Sequence, residues 1–278
     1  MASLRNDSSR PIGVFDSGIG GLTVVKELTS RLPNEQIIYF GDTARVPYGS
    51  KSNDTVIEYS IQNTHFLLSK NVKAVVVACN TASSVAIPAL QDRFDVPIIS
   101  MIEPGSAFAL SKTKSGRIGV IGTRATIGNK AYSTELLKHI PTLEVFEKAC
   151  PLFVPLVEEG MIESEPTRLI AQEYLDEFKA NNIDTLILGC THYPLLKKVI
   201  SSVVGEGVTL VDSGIAAAIT VAEVLAEYSL LADLPSQKQN EFYVSDLPRQ
   251  FKKIAELFLG NEITSLQKVD LEVLTALG

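Results

Sequence analysis

The length, composition and charge of the chain exclude several classes of protein. It has 278 residues, 45% of them hydrophobic and 21% charged, so it can bury a large core and is not intrinsically disordered. Its 25 Lys and Arg against 32 Asp and Glu give a net charge of −7, which argues against nucleic-acid binding. The 3 Cys fit neither a disulfide framework nor a zinc site. With a polar N-terminus and no apolar span, the sequence predicts a cytoplasmic protein without membrane association.

Predicted strands and helices alternate along the chain. Short apolar runs predict strands, and helical spacing of apolar residues predicts the helices between them. In chain order, the predictions are strand 12–15, helix 22–31, strand 36–40, a polar loop at 41–52, helix 53–70, strand 74–78, helix 82–91, strand 97–101, strand 117–121, helix 127–139, strand 143–146, helix 166–180, strand 185–188, helix 194–204, strand 208–211 and helix 215–231. This alternation favours an α/β fold, with doubly wound parallel sheets covered by helices on both faces.

The two halves of the chain resemble each other. The segment at 12–18 (IGVFDSG) matches 118–124 (IGVIGTR), and 74–81 (AVVVACNT) matches 185–192 (TLILGCTH), in the same order and at a similar offset. This pattern predicts a duplicated α/β unit. Because ligands of open α/β sheets bind beyond the carboxyl ends of the strands, two facing units would bring their strand ends to one cleft.

Two cysteines, Cys79 and Cys190, follow equivalent strands and precede predicted helices. Backbone N–H groups at a helix N-terminus favour a thiolate, so both are candidate acid/base groups that confront each other across one pocket. The alternative for each is a small buried apolar side chain. Cys150 lacks this context, and we expect it to be structural.

Three polar residues lie close in sequence to these strand ends. Asp16 could orient a base or hold an ammonium group, or it could form an Asx turn or a helix cap. His192 could tune Cys190 or pass it a proton, or it could be a cap. The pair at 158–159 could supply a carboxylate near Cys190, although such pairs are usually solvated surface.

No cofactor or metal site is predicted. The turn at 18–21 does not complete a dinucleotide-binding motif, there is no nucleotide-binding P-loop, and the 3 His are scattered along the chain. Two opposed thiols could instead remove a proton from one face of a carbon and deliver one to the other, which inverts a stereocentre. Ser17, Asn80, Thr81 and Thr191 could donate hydrogen bonds to a substrate carboxylate.

Five motifs in order resemble the glutamate racemases of the aspartate/glutamate racemase family. They lie at 16–21 (DSGIGG), 47–49 (PYG), 79–81 (CNT), 122–126 (GTRAT) and 189–194 (GCTHYP), and the resemblance runs from about residue 11 to 218.

The resemblance implies a cofactor-independent enzyme that interconverts L- and D-glutamate, supplies D-glutamate for peptidoglycan and forms a homodimer. It implies two α/β domains with the site at their interface: residues 1–102 with 212–278, and residues 103–211. Cys79 and Cys190 match the acid/base pair, the first acting on the D enantiomer and the second on the L enantiomer. The residues that match auxiliary catalytic positions are Asp16, His192 and Glu158, and those that match substrate-binding positions are Asp16, Ser17, Tyr48, Gly49, Asn80, Thr81, Thr191 and His192.

Three alternatives stay open at this point. Relatives with the same duplicated fold racemise other amino acids such as aspartate. A two-lobed binding protein would need neither cysteine for its function. A decarboxylase on this scaffold would need only one of the two.

Overall fold

Two parallel β-sheets form the framework of the molecule, as the sequence predicts. The computed structural model describes residues 7–247, 251–263 and 265–277. The strands are β1 (Ile12–Asp16), β2 (Ile37–Gly41), β3 (Ala74–Val77), β4 (Ile98–Ile99), β5 (Arg117–Gly122), β6 (Glu144–Ala149), β7 (Thr185–Gly189), β8 (Thr209–Asp212), β9 (Glu241–Val244) and β10 (Leu266–Lys268). Every pair of neighbouring strands in either sheet is parallel.

The strand orders of the two sheets confirm the duplication. The first sheet has the order β10-β9-β2-β1-β3-β4, and the second has β6-β5-β7-β8. The block β2-β1-β3-β4 therefore corresponds to β6-β5-β7-β8, with β1 equivalent to β5 and β3 equivalent to β7. The strands that precede Cys79 and Cys190 occupy the same place in their sheets.

Helices cover both faces of each sheet. They are α1 (Leu22–Arg31), α2 (Asn53–Ser69), α3 (Asn80–Ser83), α4 (Ile87–Arg93), α5 (Ile102–Lys112), α6 (Arg124–Gly128), α7 (Ala131–His139), α8 (Phe153–Glu158), α9 (Glu165–Ala180), α10 (Lys197–Val204), α11 (Ser213–Glu227), α12 (Phe251–Leu259) and α13 (Leu271–Leu277). Alternate side chains of β1 and β2 enter two different hydrophobic clusters, one on each face of the sheet. Burial on both faces explains why the central strands are almost continuously apolar.

Two predicted single helices are each interrupted, so those predictions are wrong. The segment predicted as helix 82–91 is two short helices, α3 and α4. The segment predicted as helix 127–139 is divided between α6 and α7, where Lys130 has a φ of +52°. Positive φ at a non-glycine residue ends one helix and starts the next in a new direction.

Helix α5 has no counterpart in the sequence predictions. The family resemblance implies a hinge between the domains near residues 101–104, which is where α5 begins, and Pro104 lies in the first turn of this helix. Proline is tolerated there because the first N–H groups of a helix have no intrahelical acceptor.

The C-terminal segment returns to the first sheet. Strand β9 pairs with β2, and β10 pairs with β9, so residues 241–268 extend the sheet that begins at residue 12. Sequence analysis predicted no elements between 232 and 260. The domain boundaries at 102/103 and 211/212 stay a prediction, and this sheet membership is compatible with them.

Within the described residues, no helix combines the length and the apolar character that a bilayer crossing requires.

Candidate active site

A cavity of about 370 Å³ lies where the carboxyl ends of strands from both sheets meet. The chain enters it directly after β3 and β7, and the loops after β1, β2 and β5, with Pro151 and α8 after β6, complete its wall. This is the location expected for a ligand of open parallel sheets. The residues that line the cavity are Ser17, Gly18, Val46, Pro47, Tyr48, Gly49, Ser50, Cys79, Asn80, Thr81, Thr123, Arg124, Pro151, Val154, Pro155, Glu158, Cys190, Thr191 and His192.

Cys79 is nearly enclosed, with 5% of its surface exposed. It is the N-cap residue of α3 but its side chain makes no capping hydrogen bond, and the nearby Ala82 N–H and Ser17 hydroxyl act to lower its pKa. Burial and the nearby Asp16 carboxylate outweigh these two donors and raise the pKa of Cys79 to about 12. The expectation that the helix N-terminus favours a thiolate here is therefore wrong, because a four-residue helix offsets little of the desolvation cost. Cys79 is a thiol at neutral pH.

Cys190 has a different environment. Its surface is 6% exposed, and its Sγ lies 3.9 Å from Nδ1 of His192. Nε2 of the same ring lies 2.8 Å from Oε1 of Glu158, whose side chain is 41% exposed at the mouth of the cavity. Burial alone would lower the pKa of His192, but the hydrogen bonds to Cys190 and Glu158 outweigh it and raise this pKa to about 10. An imidazolium therefore stands beside Cys190 and stabilises negative charge on its sulfur.

Asp16 lies beneath the cavity, fully buried. Its Oδ2 accepts the N–H of Gly18 at 3.0 Å, which is the Asx turn considered from the sequence. Its Oδ1 accepts the Thr191 hydroxyl at 3.5 Å, so it also reaches the Cys190 side. Burial raises the pKa of Asp16, and the nearby His192 is the largest opposing influence. The cavity-lining residues do not include Asp16, so its predicted substrate contact stays a prediction.

Threonine hydroxyls join the two halves of the cavity. Oγ1 of Thr81 lies 2.9 Å from Oγ1 of Thr123 and 3.3 Å from that of Thr126. Gly49 packs so closely on this cluster that a Cβ on it would lie 2.8 Å from the Cβ of Thr123. The wall therefore offers several hydroxyl donors that a carboxylate could accept from.

The loop between β2 and α2 is held by a buried polar network. The Tyr48 hydroxyl donates to Asp42 and accepts from Asn63 at 3.0 Å. Asp42 also pairs with Arg45 at 2.7 Å and accepts the Ser245 hydroxyl at 2.9 Å. Because the Tyr48 hydroxyl is already bound within the protein, we expect any contact of this loop with a ligand to come from its backbone.

Gly20 lies against the ring of His192. A Cβ on this residue would stand 2.2 Å from Oγ1 of Thr191 and 2.5 Å from Nδ1 of His192. Only glycine permits this close approach, which places the turn after β1 against the His192 ring.

The structure brings ten of the eleven predicted site residues to the cavity wall. Sequence reasoning missed Thr123 and Arg124, although the duplication aligns them with Ser17 and Gly18 and could have identified them. It also missed the apolar wall formed by Val46, Pro151, Val154 and Pro155, for which no sequence signal exists. Of the two carboxylates at 158–159, Glu158 faces the site.

The geometry allows acid/base chemistry at two separate sulfurs. A buried thiol and a sulfur beside an imidazolium line the same cavity, together with hydroxyl donors and one exposed arginine. In the described part of the chain, no group of three or more His, Cys, Asp and Glu side chains could hold a metal ion.

The known proteins that this chain resembles are racemases. The profile of the Asp/Glu/Hydantoin racemase family matches residues 15–221. A glutamate racemase of Chlorobaculum tepidum is 51% identical over 97% of this chain and 99% of its own length, and one of Geobacter metallireducens is 49% identical over 95% and 97%. The crystal structure of glutamate racemase from Francisella tularensis in complex with D-glutamate has a TM-score of 0.90 and 42% identity, covering 95% of this chain and 99% of that one.

Proposed function

Because this chain belongs to the Asp/Glu/hydantoin racemase family and is an amino-acid racemase, we propose that it interconverts L- and D-glutamate by a cofactor-independent, two-base mechanism. The observation that carries the proposal is the placement of Cys79 and Cys190. They follow equivalent strands of two duplicated sheets and line one cavity. A substrate carbon held between them would have one sulfur on each face.

The neighbours of the two sulfurs support a direction for each of them. In the L-to-D direction, Cys190 is the base: its sulfur, beside the His192 imidazolium, takes the α-proton, and the C–H electron pair moves toward the carboxylate. Cys79, as a thiol, gives its proton to the opposite face. The products are D-glutamate, a protonated Cys190 and a deprotonated Cys79. Proton exchange with water, or turnover of a D-glutamate, restores the starting state.

The difficult step is formation of the carbanion, because an α-proton of an amino acid is weakly acidic. Hydrogen-bond donors around the carboxylate and exclusion of water stabilise the developing charge. We propose that the hydroxyls of Thr81, Thr123 and Thr191 serve the α-carboxylate and that backbone N–H groups of the loop at 47–50 serve the second carboxylate.

We further propose a cellular role, a location and an oligomeric state for this enzyme. The D-glutamate produced supplies peptidoglycan synthesis and so maintains cell shape, the enzyme acts in the cytoplasm, and it forms a homodimer. Glutamate rather than aspartate is supported by the names of the relatives at about 50% identity over nearly full length.

The test is isotope incorporation in deuterated water. Purified protein, kept reduced and freed of metal and pyridoxal phosphate, is incubated with L-glutamate, and the product is analysed by chiral chromatography and mass spectrometry. We expect D-glutamate with one α-deuterium, because the Cys79 thiol exchanges with solvent before it donates. L-Aspartate in a parallel reaction fixes the substrate. No exchange with either amino acid contradicts the proposal, and exchange with aspartate alone replaces glutamate by another substrate.

The close approach of Gly20 gives a second prediction. Gly20→Ala should lower kcat for glutamate racemisation at least tenfold, because its Cβ would displace Thr191 and His192. Overpacking of this kind also costs about 1–3 kcal/mol of stability. Steady-state kinetics and thermal unfolding measure both effects. The matched control is Gly207→Ala, where a Cβ meets no atom within 4 Å. Equal activity of the two variants would contradict the packing argument.

A further inference from the structure

A phenylalanine from α12, in the C-terminal segment, lies against the ring of His192. Phe258 belongs to α12, and its side chain is 1% exposed. Its ring centroid is 5.1 Å from that of His192, and the two ring planes are 82° apart. Edge-to-face contact at this separation is a favoured arrangement of aromatic pairs. The contact joins residues far apart in sequence, from the C-terminal segment and from the loop after β7.

The His192 ring is enclosed on several sides. Glu158 holds Nε2, Cys190 and Thr191 face Nδ1, and the Gly20 backbone lies against the Nδ1–Cε1 edge. Phe258 is an apolar group among these polar contacts. It offers the ring no hydrogen bond, but its bulk opposes rotation of the imidazole away from Cys190.

Helix α12 is anchored where it can hold this position. It packs against α1, the helix that follows the turn containing Asp16 and Gly20. Its other large buried aromatic side chain, Phe251, joins the hydrophobic core and, within the described residues, makes no ring contact with His192. The two phenylalanines of one helix therefore differ in whether they touch the catalytic histidine.

We infer that Phe258 is a positioning residue that fixes the plane of the His192 ring toward Cys190; this inference rests on the proposed function. Cys79 follows β3 in the other sheet, and within the described residues the hydrogen bonds of the His192 ring go to Cys190, Thr191 and Glu158. Loss of the Phe258 ring should therefore impair proton removal by Cys190 and leave proton removal by Cys79 nearly unchanged.

A one-base reaction separates the two sulfurs. When a β-chloroglutamate loses its α-proton, the electron pair forms the Cα=Cβ double bond and chloride leaves, so only one cysteine is needed. In Phe258→Leu, we expect elimination from the L enantiomer to fall about tenfold. Elimination from the D enantiomer should stay within about twofold of wild type. The matched control Phe251→Leu removes a buried ring from the same helix. It should change the elimination rates of the two enantiomers by the same factor.

The pH profile is a second readout that simple loss of packing would not change. The titratable groups that face the ring are Cys190, Glu158 and Asp16. A ring no longer held against Cys190 and Glu158 loses the contacts that favour its protonation. The alkaline fall of L-enantiomer elimination should therefore begin at lower pH in Phe258→Leu than in Phe251→Leu.

Thermal unfolding is measured first, and Phe258→Met replaces Phe258→Leu if the latter is unfolded at the assay temperature. Three results would overturn the positioning role of Phe258. They are an equal loss of elimination with both enantiomers, a pH profile that matches that of Phe251→Leu, and no loss of elimination at all. Failure of the proposed function can be told apart from failure of this inference, because in that case even the wild-type protein would not exchange the α-proton of glutamate.

Discussion

Replacing either Cys79 or Cys190 with serine should lower glutamate racemisation by about 10²–10⁴-fold. A serine hydroxyl is a far weaker acid than a thiol, so it neither takes the α-proton nor returns one at a useful rate. The measurement is the initial rate of circular dichroism change with each enantiomer. Cys150→Ser is the matched control, because Cys150 is buried in the hydrophobic core outside the cavity, and among the described residues its sulfur hydrogen-bonds only to the Lys148 carbonyl. We expect that control to stay within about threefold of wild type.

The two variants should differ in the one-base elimination from β-chloroglutamate. Cys79→Ser retains Cys190 and should still act on the L enantiomer, whereas Cys190→Ser should act only on the D enantiomer. Near wild-type racemisation by both variants would contradict the two-base mechanism. If one variant alone racemises both enantiomers at the wild-type rate, the remaining cysteine serves both faces of the substrate. A single-base mechanism then replaces the proposal.

Racemisation rates alone cannot assign a direction to a residue. Enantiomers have equal free energies in water, so the equilibrium constant is unity, and kcat/KM must be equal in the two directions for every variant. A residue that serves only one sulfur still lowers both values of kcat/KM together. Elimination is irreversible and escapes this constraint, which is why it is the appropriate readout for Cys79, Cys190 and the groups that support them.

His192→Asn should lower kcat about 10–10²-fold, which is less than the loss for either cysteine. Asparagine removes the positive charge that stands 3.9 Å from the Cys190 sulfur and breaks the 2.8 Å contact with Glu158. His139→Asn is the matched control, since that histidine lies on the exposed end of α7 and pairs only with Glu135 among the described residues. A loss no larger than that of the control would contradict the role of His192.

The pH dependence of activity follows from the same contact. The pKa of His192 is raised to about 10, so the imidazolium persists through neutral pH and is lost above that value. We expect wild-type activity to fall as pH rises through about 10, and this limb should be absent from the residual activity of His192→Asn. The thiol of Cys79, with its pKa raised to about 12, keeps its proton over the same range.

The free energy of unfolding should also fall as pH rises. A histidine with a folded-state pKa of about 10 and an ordinary unfolded value near 6.5 stabilises the fold fully below about pH 6.5. This contribution declines as pH rises toward 10, because the unfolded chain then binds fewer protons than the native state. Urea unfolding at several pH values should show a decline that is smaller in His192→Asn.

The strands and the two cysteines could be predicted because their signals are local or repeated. Parallel strands buried on both faces are apolar throughout, and the duplication places Cys79 and Cys190 at matching strand ends. The interruption at Lys130 could not be predicted, because its positive φ depends on how α6 and α7 pack. Helix α5 could not be predicted because proline and glycine usually interrupt helices, and only their position in the first turn makes Pro104 and Gly105 compatible with one.

Other parts of the site depend on contacts between distant segments. The pairing of Asp42 with Ser245 and the contact of Phe258 with His192 join residues that share no pattern in the sequence. The direction of the Cys79 pKa shift was also beyond sequence analysis, because it depends on how deeply the sulfur is buried. Proximity to a helix start identifies a candidate sulfur but does not determine its charge.

The return of the chain to the first sheet has a consequence for synthesis on the ribosome. Until residues 241–244 emerge, β2 has no partner on its outer side and presents an unpaired apolar edge. Ser245, which donates a hydrogen bond to Asp42 in the loop between β2 and α2, and Phe258, whose ring lies on His192, emerge later still. A nascent chain that already carries both cysteines therefore lacks the supports of its site, and the enzyme matures only with the last part of its translation.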